Sequence, residues 1–106
     1  MAYDNHRAIT ALADPTRRQI FELVAKGPRS VADLTRALPV TQSAVSQHLK
    51  VLKAARLVQA EAAGARNIYR VDPAGLGQMR AWLDRQWTDA LSAFKAEAEG
   101  KKEHKK

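Results

Sequence analysis

The chain has 106 residues, 45% of them hydrophobic, and a formal net charge of +7. That is room for one domain with a modest core, and the absence of cysteine excludes disulfides, thiolate metal sites and thiol redox sensing. No run of about 18 apolar residues could span a membrane; the opening MAYDNHRAIT lacks the basic-then-apolar order of a signal peptide, so a cytoplasmic protein is expected.

In chain order, residues from Asn5 to about Ala13 read as a short helix with Ile9 and Leu12 on one side. Asp14-Pro15 marks a helix start, an N-cap followed by proline at the first helical position. That second helix sends Ile20, Leu23 and Val24 towards a core and ends near Gly27-Pro28. Ser30, with Asp33 three residues on, opens a third helix through a weaker form of the reciprocal capping pattern. Pro39 breaks it, and Thr41 is placed to cap a fourth, running to about Ala54.

The fourth helix has two unlike faces. At 100° per residue Ala44, Val45, His48, Leu49 and Leu52 share one side, while Gln42, Ser43, Ser46, Gln47, Lys50 and Lys53 share the other. Short hydroxyls, amides and two lysines suit base edges and the phosphates flanking them. Gln42 and Gln47 are the stronger base-discriminating candidates, since an amide pairs with both the acceptor and the donor of adenine. Lys50 and Lys53 point to phosphate. His48 lies with the core stripe, so a packed structural role is expected. Thr41 is first a cap, at a helix end where phosphate also binds.

After Ala55 the period changes from helical to alternating. Residues 57–61 and 66–71, joined by Ala62-Ala63-Gly64-Ala65, read as a β-hairpin with Arg66 beside its tip. The whole stretch from Ser30 is thus a helix-turn-helix ending in a wing. Charge follows this division: residues 1–56 carry a net +5, residues 57–100 −1, and residues 101–106 +3.

Asp72-Pro73 restarts a helix expected to reach about Ala98, with residues 99–106 left as a disordered basic tail. Leu76, Met79, Leu83, Trp87, Ala90 and Phe94 fall in one stripe of roughly 120°, widened by Trp82 and Leu91. A helix of about 25 residues spans nearly 40 Å, longer than a core of this size can cover. A second copy is the simplest supply of apolar surface, with Ile9 of the first helix sharing the contact.

The element order, together with ALADPTRRQIFELV, VTQSAVSQHLKVLKAARLV and GARNIYRVDP, resembles the ArsR/SmtB-type winged helix-turn-helix repressors over residues 7–95. The resemblance implies a dimeric repressor binding imperfect palindromes, with Gln42, Ser43, Ser46 and Gln47 facing bases. It also implies that Arg66, at the wing tip, reaches a neighbouring minor groove or a phosphate. Two positions depart from the pattern. Arg56 stands where the family often has glycine before the Leu-Val that opens the wing. The sensing cysteines of the third helix and the histidines of the last helix have no counterpart, so metal sensing is not implied.

No catalytic constellation stands out: the serines at 30, 43, 46 and 92 have no histidine partner in view, and there is no phosphate-cradling glycine loop. The expected molecule is mainly α with a small β-hairpin, residues 1–98 forming a winged helix-turn-helix that dimerises through its terminal helices. Its partners are double-stranded DNA and a second copy, without cofactor, metal or membrane. Two rivals stay open: a repressor with an organic effector at the dimer helices, and a winged helix used for protein–protein contact.

Overall fold

The computed structural model describes the backbone of residues 5–104 and side chains to Gly100. The order is α1 (Asn5–Ala13), α2 (Pro15–Lys26), β1 (Arg29–Ser30), α3 (Val31–Ala37), α4 (Gln42–Ala54), β2 (Val58–Ala63), β3 (Arg66–Val71) and α5 (Pro73–His104).

The starts of α2, α3, α4 and α5 are each set by a side chain that takes up amides left over at the helix end. Asp14 Oδ1 accepts from the Thr16 and Arg17 amides at 2.9 and 3.0 Å. Ser30 and Asp33 form a complete capping box, stronger than the expected partial one: the Asp33 amide donates to Ser30 Oγ at 3.1 Å and the Ser30 amide to Asp33 Oδ2 at 2.9 Å. Arginines from α2 close the end of α1, Arg17 Nε donating to the Ala11 carbonyl at 2.8 Å and Arg18 to that of Leu12 at 3.1 Å.

These caps titrate. The Arg17 amide, above all, holds the Asp14 carboxyl below its ordinary value, and the Ser30 amide does the same for Asp33. A carboxyl whose folded pKa is depressed stabilises the fold above its unfolded pKa of about 3.9 and loses that contribution as pH falls through the lower folded value. Acid unfolding followed by circular dichroism is therefore expected below about pH 4, and Asp14→Asn should flatten that limb while leaving neutral-pH stability nearly unchanged.

The core gathers Ile20 and Val24 of α2, Leu34 of α3, Val45, Leu49 and Leu52 of α4, and Leu57 and Val58 entering the wing, with Ala8 and Ala11 of α1 closing one side. The wing is a three-stranded antiparallel sheet in the order β1-β3-β2, rather than a hairpin alone. Arg29 pairs with Tyr69 and Ser30 with Ile68. Its turn is two residues, Gly64-Ala65, not four, because Ala63 pairs with Arg66. Gly64 has φ +65°, as the first position of a two-residue hairpin turn requires.

Where α4 ends, the Leu57 amide returns to the Leu52 carbonyl and the Arg56 amide to that of Lys53, both at 3.0 Å. This is the Schellman closure, and it puts Arg56 at φ +62° where glycine is the usual occupant. The Asp72 amide then donates to the Leu57 carbonyl at 2.9 Å, and Asp72 Oδ1 caps α5 through the Ala74 amide at 3.0 Å. Gly75, in the first turn of α5, is buried against this corner.

The last helix differs from expectation. It runs to His104, so residues 99–104 of the expected disordered tail are helical, while residues 105–106 lie outside the described part. Gly100 costs a helix about 1 kcal/mol, but the surrounding alanine, glutamate and lysine are strong helix formers that offset it. At 32 residues α5 spans about 48 Å. The radius of gyration is accordingly 19.1 Å, against about 13 Å for a compact domain of this length.

Candidate nucleic-acid interface

Burial splits α4 along the two expected faces. Val45, Leu49 and Leu52 are fully buried, while Ala44 and His48 are half-buried. His48 is thus partly covered, on the same side of α4 as the buried Val45, Leu49 and Leu52. Thr41, Gln42, Ser43, Ser46, Gln47, Lys50 and Lys53 are all exposed. Thr41 Oγ1 accepts from the Ala44 amide at 3.1 Å and so acts as the cap. Helix geometry puts Ser43, Ser46, Gln47 and Lys50 in an arc of roughly 100°. No carboxylate occurs anywhere on α4.

Gln42 stands apart from that arc. It lies on the flank facing the wing, where it lines a cleft of about 240 Å³ with Ser30, Val31, Ala32, Ala65, Arg66 and Asn67. Arg66 and Gln42, 24 residues apart in sequence, are thus brought to one feature, and Arg66 lies close enough to Asp33 to help depress its pKa. Arg70 is held at home, its Nε donating to Glu61 at 3.0 Å.

On α5 the apolar stripe divides. Leu76 and Met79 are half-buried, Met79 against the chain's own core, so this end of the expected seam serves the monomer. Beyond it Leu83, Trp87, Leu91 and Phe94 are exposed by 51, 69, 54 and 69%, with Ala90 among them and Ile9 of α1 at 42%. Such a row is apolar surface that no described residue covers. Among the described residues no group of three or more histidine, aspartate or glutamate side chains gathers as for a metal. No described helix is long and apolar enough to cross a membrane.

A buried helix-turn-helix framing an exposed polar helix, followed by an antiparallel wing, defines the winged helix-turn-helix class of transcriptional regulators. Residues 14–60 match the family model described as bacterial regulatory protein, arsR family. Over 88 residues the chain is 57% identical to the HTH-type transcriptional regulator Rv2034 of Mycobacterium tuberculosis, covering 83% of this chain and 82% of that one. It is 44% identical over 63 residues to the HTH-type transcriptional repressor SmtB of the same species, covering 59% of this chain and 47% of that protein. Its fold also matches the homodimeric winged helix-turn-helix DNA-binding domain of a possible ArsR-family regulator from Mycobacterium bovis. The TM-score there is 0.65 at 30% identity, covering 83% of this chain and 82% of that one. The chain belongs to the ArsR family of bacterial regulatory proteins.

Proposed function

We propose that two copies pair through the outer part of α5, flanked by Ile9 of α1, and that the pair binds an inverted-repeat operator and represses transcription by occluding the promoter. The observation that carries this reading is the α4 face. A solvent-exposed row of Ser43, Ser46, Gln47 and Lys50, free of carboxylates, is what a phosphate-lined major groove selects. The homodimeric state of the Mycobacterium bovis relative and the row of exposed apolar side chains on α5 support the pairing. Thr41 orients the helix end, Gln47 reads a base edge with the serines beside it, and Lys50 meets a phosphate. Gln42 and Arg66 approach the duplex from the wing side. The protein acts in the cytoplasm as a regulator, not as an enzyme.

Selection of bound duplexes from a random pool tests the reading: an inverted repeat with half-sites about one helical turn apart is the expected product. Recovery of no preferred sequence would instead favour a protein-contact role for the same face. On the selected duplex, Gln47→Ala should cost about 1–3 kcal/mol and relax the preference at one base pair. Lys50→Ala should weaken cognate and random DNA alike and make the salt dependence shallower. Equal losses for the two variants on both kinds of DNA would contradict these roles.

A further inference from the structure

We propose that the two α5 helices pair antiparallel in one register, in which Arg80 of each copy meets Glu97 of the other, and that this reciprocal charge pair selects a second copy of the chain as the partner. The inference rests on the pairing reading above and gives that seam its direction, register and selectivity. Along α5 the exposed stripe steps alternately by three and four residues, through Arg80, Leu83, Trp87, Ala90, Phe94 and Glu97. That is the spacing of the seam positions in a pair of packed helices. The middle four are apolar, and the first charges met at either end are opposite in sign. The other charged residues of this stretch, Asp84, Arg85, Asp89 and Lys95, fall at other positions of the repeat.

Arg80 and Glu97 lie about 26 Å apart along the helix, so one copy cannot join them. An antiparallel partner reverses the order of steps. Centred between Trp87 and Ala90, it sets Trp87 against the partner's Ala90, Leu83 against Phe94 and Arg80 against Glu97, each twice by the two-fold axis. Large meets small, and cation meets carboxylate. Parallel helices would instead stack tryptophan on tryptophan, arginine on arginine and glutamate on glutamate. Sliding the antiparallel pair by one repeat puts Glu97 on Trp87 in one direction and Arg80 on Ala90 in the other. Within one copy Arg80 Nε reaches only Asp84, at 3.8 Å with both side chains well exposed. So long and exposed a contact holds the guanidinium weakly, and its other donors remain for a carboxylate across the seam. A chain carrying other charges at the two ends would meet a mismatch at both.

The test uses the full chain, which has no cysteine of its own. Under mild oxidation the Arg80→Cys/Glu97→Cys double variant should become a covalent dimer on a denaturing gel, while either single cysteine variant stays uncross-linked. Light scattering over a dilution series should show Arg80→Glu and Glu97→Arg each raising the dimer dissociation constant by about tenfold or more, since each brings like charges together twice. The double reversal, Arg80→Glu/Glu97→Arg, should pair with itself as tightly as the wild type does and should not pair with wild-type chains. The proposal is overturned if the double cysteine variant is dimeric but does not cross-link, or if a single cysteine cross-links as readily. It is also overturned if either reversal alone keeps the wild-type constant, or if the double reversal prefers wild-type chains to itself, as parallel helices would require. A wild-type chain that stays monomeric would overturn the pairing reading itself, a result distinct from a dimer without this cross-link.

Discussion

Gly75→Ala is expected to be the most damaging single-methyl change in the chain, lowering stability by about 3 kcal/mol, in the upper range for overpacking. A Cβ at Gly75 would stand 1.7 Å from the Arg56 carbonyl oxygen and 2.6 Å from its carbon. Both are backbone atoms fixed by the Schellman closure of α4, so neither can swing aside as a side chain would. Alanine's better helix propensity returns only about 1 kcal/mol. Thermal unfolding should show a midpoint lowered by about 10 °C or more. Gly77→Ala, two residues on with nothing within 4 Å, should be neutral or stabilising. Arg56→Gly removes the left-handed penalty at the same corner and should raise the midpoint slightly. A wild-type midpoint for Gly75→Ala would mean that α5 does not pack on this corner in solution.

Trp87→Glu is expected to leave a folded monomer and to weaken operator binding by two to four orders of magnitude. Trp87 is 69% exposed in one copy and sits between Leu83 and Leu91 in the row that has no cover. In a two-fold interface one substitution acts on both sides, and a charge there is desolvated without a partner. The isolated chain loses little, because this part of α5 lies beyond its own core. Loss of pairing turns the second half-site from an intramolecular event into an independent one, which removes the avidity of two linked reading heads. Light scattering reports the mass and titration on the inverted repeat reports the affinity. A variant that stays dimeric would place the seam elsewhere.

Much of this molecule was legible in its sequence because local chemistry and tertiary packing agree. Asp14, Ser30 and Thr41 each precede a helix and each caps it in the structure. The two faces of α4 follow the helical period, with Val51 at their border exposed. Four features needed the folded chain. A strand of two residues, Arg29–Ser30, has no period to detect and exists only because Ile68 and Tyr69 lie alongside. Arg56 occupies a left-handed position that a glycine would mark by itself; its residue type gives no such sign, and only the family resemblance points to the corner. The apolar stripe of α5 is continuous along the helix, yet only contact with the core separates Met79 from Trp87. Gln42 shares the polar face with Gln47, but its place beside Arg66 depends on how the wing folds back. The end of α5 departs from its sequence pattern for the opposite reason: one glycine and a charge run suggest disorder, while neighbouring alanine, glutamate and lysine sustain the helix to His104.

The wing's short anchorage implies that it breathes unevenly. Beside Ser30 the ladder is stitched to a buried, capped residue, and Ile68 and Tyr69 are partly sheltered. From Glu61 to Asn67 every residue is exposed, and β2 and β3 pair there only with each other. Hydrogen exchange at the distal amides should therefore proceed by local fraying, while the Ser30–Ile68 rung exchanges only as the whole domain opens. A segment so loosely tethered can adjust to the contour of a bent or straight helix at little cost, without disturbing the rigid block behind it.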